Sequence, residues 1–160
     1  SVTLPDTAGL SAVYRAGSQW QILADVTWTG WSSFDRLVID FANPAEPNST
    51  LEWNWDDTWR VALGATYAPN DRWRFQGGVA WDQSPIPDST RSPRIPGNDR
   101  VWLSGGVGYR FARGWSLDVM YTHVFVEKAN SELASPEAGA LLGHYESSVD
   151  VVSFQLNWHF

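Results

Sequence analysis

Five stretches of the chain alternate between large apolar side chains on one parity and charged, polar or small ones on the other. Trp20, Ile22, Ala24, Val26 and Trp28 oppose Gln21, Leu23, Asp25 and Thr27, and Trp59, Val61, Leu63, Ala65 and Tyr67 oppose Arg60, Ala62, Gly64 and Thr66. The same rhythm runs through 73–81, 101–110 and 115–122. A period of two is that of a β-strand with one apolar face. In three of the stretches an aromatic recurs at a spacing of eight, about the height of the apolar band of a transmembrane β-barrel.

Short and long connections alternate between these segments. The short ones, 16–19, 68–71 and 112–114, are rich in turn formers, and the long ones, near 43–52, 83–99 and 130–147, carry Pro, Asn, Ser and acidic residues. Outer-membrane barrels keep short turns on the periplasmic side and long loops outside. The expected strands therefore run down over 7–15, up over 19–42, down over 54–67, up over 72–82, down over 100–111, up over 115–128 and down over 148–160. Seven antiparallel strands begin and end in the same direction and do not seal, so the sequence reads as part of a larger antiparallel all-β barrel. Splitting 19–42 near Ser32 and Ser33 gives a competing count of eight and a small closed barrel. That count puts the turn at 16–19 outside and breaks the short-inside order, so seven is preferred.

Composition sharpens this picture. Eleven tryptophans in 160 residues sit mostly at strand ends, where amphipathic rings form the girdles of a membrane barrel. A mean hydropathy of −0.30, with no apolar run of about 20 residues, excludes helical spans and leaves a barrel open. The net charge of −7 argues against nucleic acid as a partner. No cysteine is present, which removes disulfides and thiolate metal sites. No secretory leader stands at Ser1, as expected of a mature or partial chain.

The segments LPDTAGLSAVYRAGSQW (4–20), DVTWTGWSSFDRL (25–37), NWDDTWRVALGATYAPNDRWRFQGGVAWDQSPIPD (54–88) and RSPRIPGNDRVWLSGGVGYRF (91–111) resemble, in order, the C-terminal half of the FadL-type outer-membrane transporters. The resemblance spans nearly the whole chain. It implies a bacterial outer-membrane location and a barrel of about 14 strands, of which residues 1–160 supply the last seven as one barrel segment, without the N-terminal hatch and first strands. It also implies passive transport of long-chain fatty acids or hydrocarbons, with capture from outside and lateral release into membrane lipid. The final aromatic, Phe160, resembles the C-terminal signature read by the barrel assembly machinery. The expected partners are thus a hydrophobic small molecule, outer-membrane lipid and that machinery.

Six residues are candidates for substrate contact. Arg60, Arg74 and Arg110 face the lumen by parity and suit a carboxylate head group, although inward arginines paired with Asp25 and Asp118 also satisfy a polar barrel interior. Trp53 and Trp55 stand at alternate positions beside Asp56 and Asp57, able to wall a hydrocarbon chain or to serve as girdle residues. Trp31, with Phe34 and Leu37, is expected in the upper part of the long second strand, beyond the apolar band, either lining the outer vestibule or packed beneath a loop. Arg91, Arg94, Asp99 and Arg100, among four prolines, predict a stiffened loop tied down by ion pairs. Enzymatic chemistry is not expected: Ser104 and Asp118 face inward and His123 outward, which denies a hydrolase triad its hydrogen bonds. His123, His144 and His159 lack metal-ligand spacing, so no cofactor or metal is expected.

Overall fold

A computed structural model describes residues 4–39, 41, 49–112, 114–135 and 139–158. Seven strands form one antiparallel sheet: β1 (Thr7–Ala16), β2 (Trp20–Thr29), β5 (Thr58–Tyr67), β6 (Trp73–Asp82), β7 (Arg100–Ala112), β8 (Trp115–Val126) and β11 (Ser148–Trp158), neighbours in that order. Two hairpins stand apart from it, β3 (Arg36–Ile39) with β4 (Ser49–Glu52), and β9 (Ala129–Ser135) with β10 (Gly139–Tyr145). No α-helix occurs among the described residues.

The expected strand positions and the count of seven agree with the sheet, with one correction. The second strand does not run from 19 to 42. It stops at Thr29, where the Gly30 N–H donates to Asp6 O at 2.9 Å, and a 3-10 turn (Trp31–Ser33) redirects the chain into β3. The competing split near Ser32 and Ser33 marks a real break, but β3 pairs with β4 and adds no eighth strand to the sheet. Likewise, the expected loop over 130–147 contains the β9–β10 hairpin. Phe160 lies outside the described residues.

The short turns follow from their residues. Gly17 and Gly114 adopt φ of 72° and 79°, open to glycine without a Cβ penalty. At the β5–β6 turn the Asn70 side-chain carbonyl accepts from the N–H groups of Arg72 (2.9 Å) and Trp73 (3.0 Å). Just above these turns, aromatics pair across neighbouring strands: Trp20 on Tyr67, Trp73 on Tyr109 and Trp115 on Trp158, with centroids 4.5, 4.5 and 5.6 Å apart. Tyr67 stands opposite Phe75 and Tyr109 opposite Leu117, so the aromatic row steps two residues at every second strand.

The two faces differ sharply. One carries Leu63, Val79, Leu103, Phe154 and Leu156, all open to the surroundings, with Leu103 at 55 % and Phe154 at 72 % exposure. A contiguous apolar face on this scale is unsuited to water and suited to lipid. The other face is concave, bringing Asp25, Arg60, Gln76 and Ser104 to one shared hollow. Among the described residues, the largest fully buried side chains are Arg91, Val124 and Ser131. Two of these three belong to the long-loop layer, so the tightest packing lies over the mouth of the sheet and not in a globular core.

Candidate functional site

The break after Thr29 builds the most distinctive feature of the long-loop end. Trp31 and Phe34 come from the 3-10 turn and its exit, and Trp53 and Trp55 from the segment leading into β5. Phe34 stacks on both Trp53 (5.6 Å, 11°) and Trp55 (5.5 Å, 14°), those two indoles stack on each other at 5.3 Å, and Trp31 meets Trp55 edge-on at 5.2 Å. Each such contact contributes about 0.5–1.5 kcal/mol beyond burial. The backbone closes the same unit: Asp35 O accepts from Trp53 N (2.8 Å) and Asn54 N (2.9 Å). Asn54 takes the left-handed φ of 47° that this requires, a conformation asparagine tolerates better than most residues. Asp57 fixes the turn by accepting from Ser32 N at 2.9 Å, and the Ser32 backbone and hydroxyl hold its carboxyl below the usual carboxylate range.

Trp31 and Trp55 form one side of a cavity of 370 Å³, faced by Pro85, Ile86 and Ile95 of the β6–β7 connection, with Thr27, Thr58, Arg60 and Arg100 toward its floor. Arg60 also borders a second hollow of 440 Å³ on the concave face, lined largely by small and apolar residues such as Leu23, Ala62, Gly64, Gly78 and Met120. The two cavities therefore adjoin at Arg60. Its tie to Asp25 is loose, with Nη1–Oδ1 at 3.7 Å and 44 % exposure of the guanidinium side chain, because Asp25 is already engaged by the Ser11 hydroxyl at 2.6 Å. Arg100 is held closer, Nη2 to Asp82 Oδ2 at 2.9 Å, while its Nε is buried without a partner among the described residues.

The six expected contact residues thus separate. Trp31, Trp55 and Arg60 share the outer cavity, and Trp53 stacks directly behind Trp55. Arg74 and Arg110 lie at the opposite, short-turn end and line a different, polar cavity of 640 Å³ with Asp118, Gln155 and Asn157. There Arg74 Nη2 donates to Asp118 Oδ1 at 2.5 Å across β7, the Asn157 amide donates to Asp118 Oδ2 at 3.0 Å, and Gln155 donates to Asn157 at 2.6 Å. Arg74 is thereby committed to a structural network.

The remaining polar groups sort by face. Ser104 Oγ bonds Thr122 Oγ1 at 2.8 Å on the concave side. His123 Nδ1 and Tyr121 Oη instead meet Asp150 Oδ1 on the convex side, at 2.7 and 2.6 Å. The hydrolase constellation is therefore absent here. Asp150 is a partner that sequence reasoning did not supply to His123. Also missed were Ile86 and Ile95, whose signal was present as isolated isoleucines flanked by proline in a polar loop.

Comparison with known proteins matches all of residues 1–160 to the family described as "Outer membrane protein transport protein (OMPP1/FadL/TodX)". The chain is 31 % identical to a long-chain fatty acid transport protein of Escherichia coli O6:H1, covering 100 % of this chain and 35 % of that protein. It is 37 % identical over 74 % of its length to a protein of the same description from Salmonella typhi, covering 27 % of it, and 29 % identical over 81 % to outer membrane protein P1 of Haemophilus influenzae, covering 28 %. The crystal structure of a Pseudomonas aeruginosa FadL homologue superposes with a TM-score of 0.88 at 32 % identity, covering 96 % of this chain and 35 % of that one. The chain spans about a third of the length of the relatives it matches.

Proposed function

Since the chain belongs to the outer membrane protein transport family typified by OMPP1, FadL and TodX, a family of transporters and not of enzymes, we propose that it forms the C-terminal barrel segment of a passive outer-membrane channel for hydrophobic compounds. Long-chain fatty acids and hydrocarbons are the solute classes. The observation that carries this reading is the aromatic outer cavity continuing, at Arg60, into an apolar inner hollow. A solute enters between Trp31 and Trp55 on one side and Ile86 and Ile95 on the other, with Trp53 backing the wall. Arg60, the loosest of the paired inward arginines, is the contact for a carboxylate head group when one is present.

The polar network of Arg74, Asp118, Asn157 and Gln155 supports lateral release. A hydrocarbon moving on toward the short-turn end would exchange an apolar wall for charged and amide groups, and then for water, forfeiting about 0.8 kcal/mol per CH₂. Sideways exit into lipid avoids that cost. Arg110, at the same end, is assigned to the rim of this polar floor and not to the entry site. The full barrel is completed by further strands paired to the outer sides of β1 and β11, because unpaired backbone groups in lipid cost several kcal/mol apiece. The terminal aromatic Phe160 is the element offered to the barrel assembly machinery.

Uptake by the full-length protein in vesicles, with palmitic acid and hexadecane compared, tests the reading. Trp55→Ala is expected to raise the half-saturating concentration of both solutes about tenfold, equivalent to ~1.4 kcal/mol, and Arg60→Ala that of the acid alone. Unchanged uptake of both solutes by Trp55→Ala removes the outer cavity from the path.

A further inference from the structure

We propose that Arg91 is a positioning residue for the outer cavity, a clasp that fixes the cavity's width and hence which hydrophobic solutes enter. This rests on the reading of that cavity as the entry site. The cavity wall opposite the tryptophans comes from the 83–99 connection, whose two limbs carry Ile86 on one side and Ile95, Gly97 and Asn98 on the other. At their base the limbs are tied by Ser84, whose N–H donates to Asp99 Oδ1 at 2.8 Å and whose hydroxyl donates to Gly97 O at 3.4 Å. Arg91 ties them at the wall residues themselves. Its Nη2 donates to Ile86 O at 2.8 Å and its Nε to Gly97 O at 3.0 Å, so the guanidinium grips the backbone of a wall residue on each limb. Nη1 donates to Asn130 O at 2.6 Å and also engages the Asp88 carboxylate.

The burial of this group is what makes it a clasp and not a decoration. Arg91 is 2 % exposed in a loop at the mouth of the sheet. A buried guanidinium is costly unless its donors are paired, and here they are met by carbonyls and a carboxylate in a fixed planar fork. Lysine concentrates its donors at one point and does not reach both limbs in that geometry. The clasp is itself anchored on two sides. Thr90 Oγ1 donates to Trp53 O at 2.8 Å, joining the loop to the aromatic cluster. Ser131, itself buried, donates to Arg91 O at 2.8 Å and joins it to the β9–β10 hairpin. The tryptophan wall is joined to the near limb by Asp56 N, which donates to Pro85 O at 2.9 Å, and the spacing of the far limb, which carries Ile95, is set by the contacts that converge on Arg91.

The test uses the full-length protein in vesicles and two neutral solutes, slim hexadecane and broad pyrene. Arg91→Ala is expected to change the ratio of their half-saturating concentrations about fivefold, the scale on which small changes in an apolar pocket discriminate, with maximal rates retained. Arg91→Lys is expected to behave like the alanine variant, and guanidinium ion to restore the ratio in Arg91→Ala. A ratio that stays at the wild-type value while heat-modifiable folding is intact overturns the proposal and leaves Arg91 a plain loop pin. If Arg91→Ala does not fold, Ser131→Ala, which removes one anchor of the clasp, must shift the ratio in the same direction, and an unshifted ratio overturns the proposal equally. Trp55→Ala separates the two readings: if it alters neither solute, the entry site has failed, and if it alters both while Arg91→Ala leaves the ratio unmoved, the clasp alone has failed.

Discussion

The ion pair between Arg74 and Asp118 joins β6 to β8 over the top of β7, and a single residue makes that passage possible. Gly108 is the register partner of both. A Cβ built there would fall on the Asp118 carboxylate and 3.3 Å from Arg74 Nε. Gly108→Ala is therefore expected to displace the pair and lower stability by about 1–3 kcal/mol, seen as a lower midpoint of the heat-modifiable transition in detergent. Gly105→Ala, where nothing lies within 4 Å, is the control and should change the midpoint little. Residue-level chemistry of this kind was only partly legible beforehand. Inward arginines and aspartates were readable from parity, but which ones meet depends on a register that the sequence does not state. Arg91 was expected to tie its loop by ion pairs, and it does pair with Asp88; its other main partners, the main-chain carbonyls of Ile86, Gly97 and Asn130, leave no mark in side-chain pattern.

At the level of elements, period-two alternation located five of the seven strands of the sheet, since a one-residue slip would turn each apolar face inward, and the order of short and long connections completed the count. Alternation failed as a guide where it gave way to other spacings. Trp31, Phe34 and Leu37 recur at every third position, and continuing the second strand through them set aside the break that Ser32 and Ser33 offered and took no account of Gly30. The 3-10 turn they form depends on Asp57, whose carboxylate accepts from Ser32 N. Because that carboxyl titrates lower in the folded chain than its ordinary value of 3.8, its contribution is complete above that value and is lost as pH falls through the lower, folded one. Tryptophan emission from the Trp31, Trp53 and Trp55 cluster is accordingly expected to hold constant from neutral pH down to about 4 and to change below it. In Asp57→Asn, this acid step should disappear. The β9–β10 hairpin escaped sequence reading because its alternation is short and interrupted by small residues, so it looked like loop.

For the whole molecule, the decisive property is the inversion of faces: apolar side chains outward, charged and small ones toward the concave side. Spin labels at Val61 and Val79 in the full-length barrel should contact hydrocarbon, read by accessibility to oxygen, while a label at Ala62 should contact a water-soluble relaxation agent. The reverse result would remove the membrane reading. The convex face has a polar exception in His123 and Asp150, the latter 61 % exposed in its side chain, each eight residues from a short-turn tryptophan, Trp115 and Trp158. That is the level at which other strands carry Trp28, Trp59 and Trp81. A charge on the lipid side costs about 2–4 kcal/mol at the bilayer centre but only about 0–1 near its rim, so the exception sits where it is tolerated. The aromatic row near the short turns has a geometric consequence as well. A step of two residues at every second strand is one residue, about 3.3 Å, for each strand spacing of about 4.8 Å. If the row marks a level plane, the strands must lean about 35° from the bilayer normal, within the range of closed barrels. The eight residues from Trp20 to Trp28 then climb about 22 Å, close to the thickness of hydrocarbon that such walls cross.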